Sequence, residues 1–126
     1  MPGAEALVSE LKGRVPIAVA SNTPNRLVVG ALACSGLLDH FDAVVTADQV
    51  AEPKPSPDVY LRACGMLGAD APQAIGLEDS PTGLAAVRAA GMYSIGIPSF
   101  PGVSLEGADL VGSSLADPFV RAALGL

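Results

Sequence analysis

Long apolar runs are missing from this chain. None approaches the roughly 18 residues needed to span a bilayer, and the N-terminus lacks the basic-then-apolar layout of a secretory signal. A membrane-spanning helix is therefore excluded and the cytoplasm is the expected compartment. Basic residues are scarce: seven Lys and Arg stand against thirteen Asp and Glu, for a formal net charge of -6. They are also scattered, which argues against the clustered positive footprint of a nucleic-acid surface. Aromatic residues make up 4% of a chain that is half apolar, so the interior must be built from Ala, Val, Leu and Ile. Cysteine occurs twice, as Cys34 and Cys64, with no CxxC spacing and no Cys or His neighbour to suggest metal or disulfide chemistry. Both fall in helix-like apolar patterns and are expected to be buried structural thiols. The single histidine, His40, sits with Asp39 beside a turn and is expected at the surface without a role.

The 126 residues match the usual size of one domain. Short apolar runs alternate with amphipathic stretches, without internal repeats or low-complexity segments. This is the βαβ signature. Helices are expected over Ala4 to Lys12, Asn25 to Cys34, Ser56-Pro57 to Leu67 and Ser80-Pro81 to Gly91, with a short one from Asp117. Both Ser-Pro pairs read as helix starts, with serine as N-cap and proline in the first helical position. Strands are expected over Val15 to Ala20, Ala43 to Ala47, Ala74 to Leu77 and Tyr93 to Ile97, with a short fifth at Leu110-Val111. Strands apolar throughout and separated by helices imply a doubly wound parallel sheet with both faces covered. In such α/β folds the ligand site lies beyond the carboxyl ends of the strands. Three polar clusters follow strands: Ser21-Asn22, Lys54 and Glu78-Asp79.

Each cluster has two readings. Adjacent carboxylates Glu78 and Asp79 at the end of a buried strand repel one another unless a cation or donors neutralise them. Magnesium would serve, since it takes oxygen ligands and is commonly held by one or two carboxylates plus phosphate; alternatively the pair supplies negative charge near the N-terminus of the next helix. Lys54, flanked by Pro53 and Pro55, is either a cation held still to balance a phosphate or an exposed residue of a proline-rich turn. Ser21 and Asn22 either present a hydroxyl and backbone N–H groups to a phosphoryl oxygen or cap the next helix.

Taken together, Ala20-Ser21-Asn22, Lys54-Pro55-Ser56-Pro57-Asp58 and Gly76-Leu77-Glu78-Asp79-Ser80-Pro81-Thr82-Gly83 resemble motifs two, three and four of the haloacid dehalogenase superfamily. The last is similar to the form seen in its β-phosphoglucomutase and phosphoglycolate phosphatase branch. The resemblance covers roughly residues 5 to 115. It implies a three-layer, Rossmann-like α/β core and a magnesium-dependent phosphohydrolase, phosphatase or phosphomutase-like, acting on a small phosphorylated metabolite. Ser21 would bind the transferring phosphoryl group with backbone N–H groups around Asn22, Lys54 would steady its charge, and Asp79 and Glu78 would hold Mg2+. Such a division suits phosphoryl transfer, where positioning and charge neutralisation dominate.

Two departures accompany it. Pro53 stands where the family often has glycine or a basic residue, and no Asp-x-Asp, the family's nucleophile motif, occurs in the chain. The cap domain that selects substrate is missing as well, so the whole chain reads as one partial core domain, incomplete at its central strand. Residues 1 to 12 resemble the helix that leads from cap to core. By the same resemblance the absent strand would lie between Val15 to Ala20 and Ala74 to Leu77, leaving two open edges. A retained N-terminal segment or self-association is expected to cover them, in preference to a stable monomer. Catalytic competence would then depend on that further segment; the competing reading is a non-catalytic module that keeps a magnesium and phosphate pocket. A receiver-type signalling domain is disfavoured, because its acidic pair is expected early and here it comes late.

Overall fold

The computed structural model describes residues 3–126. Five helices and five strands follow one another along the described residues, alternating except that β5 comes directly after β4: α1 Ala4–Leu11, β1 Ala18–Ser21, α2 Asn25–Ser35, β2 Ala43–Thr46, α3 Asp58–Leu67, β3 Ile75–Glu78, α4 Pro81–Ala89, β4 Tyr93–Gly96, β5 Leu110–Val111 and α5 Pro118–Ala123. Single 3-10 turns at Leu38–His40, Ala47–Gln49 and Ala71–Gln73 precede or follow strands. Every strand pairing is parallel; β1-β2 and β3-β4 are linked through helices, as such pairs require a crossover, and β4-β5 through a long loop.

Period-two alternation sorts the strand side chains into two layers of core. Ala18 and Ala20 of β1 and Val45 of β2 join Val59, Tyr60 and Ala63 of α3 and Ala86 and Val87 of α4 on one face. Ile17, Ile75, Leu77 and Ile95 join Leu7 and Leu11 of α1 and Val120 of α5 on the other. The helices bury the stripes their spacing dictates: Leu7 and Leu11 are four residues apart, as are Val59 and Ala63. Gly76 lets α4 lie close on the sheet, since a Cβ there would run into both methyl groups of Val87. The result is the three-layer α/β arrangement expected from the sequence.

The sheet is in two parts. One holds β1-β2 and the other β3-β4-β5. Between β1 and β3 runs an apolar cavity of about 370 Å³, lined by Ile17, Ala18 and Ala20 on one side and Ile75 and Leu77 on the other, with Ala63 and Cys64 of α3 beside them. The two strands do not close on each other, so the core is incomplete at its centre.

Several boundaries differ from expectation for local reasons. Strand β1 begins at Ala18 rather than Val15: Pro16 has no N–H to offer a ladder, and the Ile17 N–H donates to the Asp42 carboxylate at 2.9 Å. Helix α3 begins at Asp58 with Pro57 as N-cap, so Ser56 does not cap it in the expected way. Instead the Ser56 hydroxyl accepts from the Asp58 N–H at 3.4 Å. Strand β3 runs one residue further than expected and includes Glu78. Ser80 does cap α4, accepting from the Gly83 N–H at 3.1 Å. Of the two thiols, Cys64 is buried but Cys34 is exposed, because α2 buries none of its residues. His40 is half-buried rather than exposed, with Nδ1 out of contact with solvent.

Candidate active site

Parallel pairing brings Ser21 at the end of β1 level with Thr46 at the end of β2, and Glu78 at the end of β3 level with Gly96. The three polar clusters read from the sequence therefore rise at the same edge of the molecule. The loop after β2 carries Lys54 into the space between them.

Lys54 is the hub. Its ammonium donates to the Ala20 carbonyl at 2.9 Å and to Glu78 Oε1 at 2.5 Å. Both side chains of this ion pair are sheltered, at 11% and 9% exposure, so the attraction is screened far less than at an open surface. The Tyr60 hydroxyl donates to the same Glu78 oxygen, and the Tyr60 ring lies 5.1 Å from the ammonium. Burial raises the Tyr60 pKa well above the ordinary tyrosine value, and the charges of Glu78 and Asp79 add to it. The phenol stays protonated and remains a donor. Tyr60 is the site residue the sequence reading missed; a tyrosine on the apolar stripe of α3 gives no local sign that its hydroxyl ends on a carboxylate 18 residues away.

Asn22 holds the Lys54 backbone. Its side-chain Oδ1 accepts from the Lys54 N–H at 2.9 Å and its Nδ2 donates to the Lys54 carbonyl at 3.4 Å. The Ser21 hydroxyl accepts from the Thr23 N–H at 3.1 Å, leaving its own proton free for another acceptor. Neither residue provides the cap of α2: Pro24 occupies that position, and the Asp48 carboxylate takes the Asn25 N–H. Asp48 also accepts from the Thr46 hydroxyl, and these donors depress its pKa.

Glu78 and Asp79 differ in surroundings. Glu78 is buried, and a Cβ at Gly83 would fall on its carboxylate, so glycine at the first turn of α4 makes the room that Glu78 occupies. Asp79 is half-buried at the mouth of the site. Two carboxylates suit the oxygen preference of magnesium. Among the described residues no third Asp, Glu, His or Cys joins them, so water and substrate phosphate would complete the shell, as they usually do for this ion.

A family model for haloacid dehalogenase-like hydrolases matches residues 1–91, which include all three clusters. This chain belongs to that family. Among curated relatives of these hydrolases, the validoxylamine A 7'-phosphate phosphatase of Streptomyces hygroscopicus subsp. limoneus is 38% identical over 96 residues, covering 75% of this chain and 45% of that protein. The β-phosphoglucomutase of Bacillus subtilis is 32% identical over 118 residues, covering 93% of this chain and 50% of that protein. The crystal structure of CbbY from Rhodobacter sphaeroides in complex with phosphate superposes with a TM-score of 0.88 at 35% identity, covering 99% of this chain and 58% of that one. The chain thus spans about half the length of each of these three proteins. Among the described residues no helix is long and apolar enough to cross a membrane.

Proposed function

We propose that this chain supplies the phosphate- and magnesium-binding part of a phosphohydrolase that acts on a small phosphorylated metabolite. The observation that carries the reading is the sheltered Lys54–Glu78 pair at the carboxyl ends of parallel strands, whose lysine also reaches the Ala20 carbonyl next to Ser21 and whose glutamate directly precedes Asp79. A cation with one carboxylate partner, next to a free hydroxyl, offers a phosphoryl group charge compensation and a directed hydrogen bond. Magnesium, when bound by Asp79 with Glu78, would screen the remaining phosphoryl charge. Lys54 and Ser21 would orient the group, and the apolar walls behind them would keep bulk water out.

No Asp-x-Asp occurs in the sequence, and the gap between β1 and β3 is lined in part by Ala20, Leu77 and Tyr60, which adjoin or belong to the site. A further strand seated there would complete the core; one from a segment beyond these 126 residues would also carry the nucleophile, whereas one from a second copy would fill the gap without it. Calorimetric titration tests the metal half of the reading: magnesium binds the chain weakly and Asp79→Ala abolishes binding. Equal affinity in both proteins rejects the assignment.

A further inference from the structure

Asn22 follows directly on β1, and its side-chain amide is turned to the backbone of Lys54. Both polar atoms of its amide engage the backbone of one residue, Lys54: Oδ1 takes the N–H at 2.9 Å and Nδ2 donates to the carbonyl at 3.4 Å. The lysine is then tied to the same strand end a second time, through its ammonium and the Ala20 carbonyl at 2.9 Å. Backbone and head group are thus anchored within three consecutive residues, Ala20 to Asn22, of which Ser21 is the middle one. Only a primary amide at this length offers a donor and an acceptor side by side; serine and alanine cannot span to both groups, and aspartate offers no donor.

We propose that Asn22 is a positioning residue, whose side chain sets the spacing between the Lys54 ammonium and the Ser21 hydroxyl without itself contacting the anion. The inference rests on the phosphate-binding reading above and deepens it. Without the amide, Lys54 keeps its charge and its ion pair with Glu78, but its backbone is no longer registered against Ser21. Anion affinity falls while the Glu78 and Asp79 carboxylates keep their places.

The test uses the 126-residue chain, with inorganic phosphate and magnesium titrated separately. Asn22→Ala is expected to weaken phosphate binding by about two- to tenfold, the effect of losing one or two ordinary hydrogen bonds. Magnesium affinity should remain that of the unchanged chain, and hydrogen exchange at the Lys54 amide should quicken. Asn22→Ser, smaller in its disturbance, should behave in the same way and decides the matter if the alanine variant does not fold. Phosphate affinity unchanged in both variants, with Lys54→Ala abolishing it, overturns the role of Asn22 alone. Parallel loss of phosphate and magnesium affinity in Asn22→Ser also overturns it, by making the residue a general support of the fold. Phosphate binding that is undetectable in the unchanged chain, or indifferent to Lys54→Ala, overturns the underlying reading and this inference with it.

Discussion

The Tyr60 hydroxyl and the Lys54 ammonium converge on one oxygen, Oε1 of Glu78. A buried carboxylate is thereby held by one charged and one neutral donor. Removing either leaves the other in place, but not at equal cost. Tyr60→Phe keeps the ring beneath the ammonium and the ion pair intact, and should lower stability by about 1–2 kcal/mol. Lys54→Met leaves Glu78 as a buried charge without a counterion and should cost about 3–5 kcal/mol. Urea unfolding of the two variants gives the order; equal losses would mean that the ion pair contributes nothing beyond the phenol.

Gly83 should tolerate no side chain without consequence for the site. Alanine is the better helix former by about 1 kcal/mol, but its Cβ would land on the Glu78 carboxylate. Gly83→Ala is therefore expected to push Glu78 off Lys54 and Tyr60, to lower the melting temperature despite the helix propensity gained, and to lose magnesium affinity. Retained affinity, measured by the same titration as for Asp79→Ala, would show that Glu78 is not needed for the metal.

Acid should destabilise the molecule below the ordinary aspartate pKa of 3.8. The Ser94 N–H and hydroxyl donate to Asp109 at 2.8 and 3.0 Å, and the Ser113 N–H and the Phe119 N–H donate to Asp117, lowering both pKa values. The folded state then binds fewer protons than the unfolded one, so the stability these groups add is present above 3.8 and is lost as pH falls through their lowered values. Asp109→Asn should flatten the acid limb of a melting-temperature profile; an unaltered limb would assign the loss to other carboxylates.

Hydrolysis of an aryl phosphate by residues 1–126 alone should be negligible. Removing the nucleophile from another hydrolase costs on the order of 10^6 in rate, and the remaining groups restore little of it. Magnesium-dependent turnover that disappears in Lys54→Ala would refute this.

The open edges of β1 and β3 should be covered in solution. Unpaired strand edges recruit partners, and each buried unsatisfied group costs about 1–3 kcal/mol against a total stability of about 5–15. Light scattering should find an assembly heavier than 12.6 kDa, or mass spectrometry a second polypeptide. A cooperatively unfolding monomer of that mass would show that the gap is tolerated as it stands.

Much of this architecture could be read from the sequence because its signals are local. Apolar runs such as Ala43 to Ala47, and Ser80-Pro81 before an amphipathic stretch, need no distant partner to be recognised, and their alternation implied the parallel order that gathers Ser21, Lys54 and Glu78. What could not be read depends on pairs far apart in the chain. Tyr60 and Lys54 meet Glu78 across 18 and 24 residues, and Asn22 meets Lys54 across 32. Strand β1 starts late because of Asp42, 25 residues away from Ile17. Cys34 stands exposed because α2 lies against the sheet without burying a residue, a matter of docking that its own apolar pattern does not encode.

The division of the sheet also makes binding and cohesion one quantity. Ser21 belongs to the β1-β2 half and Asp79 follows the β3-β4-β5 half, so a ligand touching both would act as a cross-brace. Anything that binds the folded form alone raises its stability by about 2.7 kcal/mol at a hundred times its dissociation constant. In this chain that gain would be concentrated at the seam, and a melting curve would register ligand even where no reaction follows.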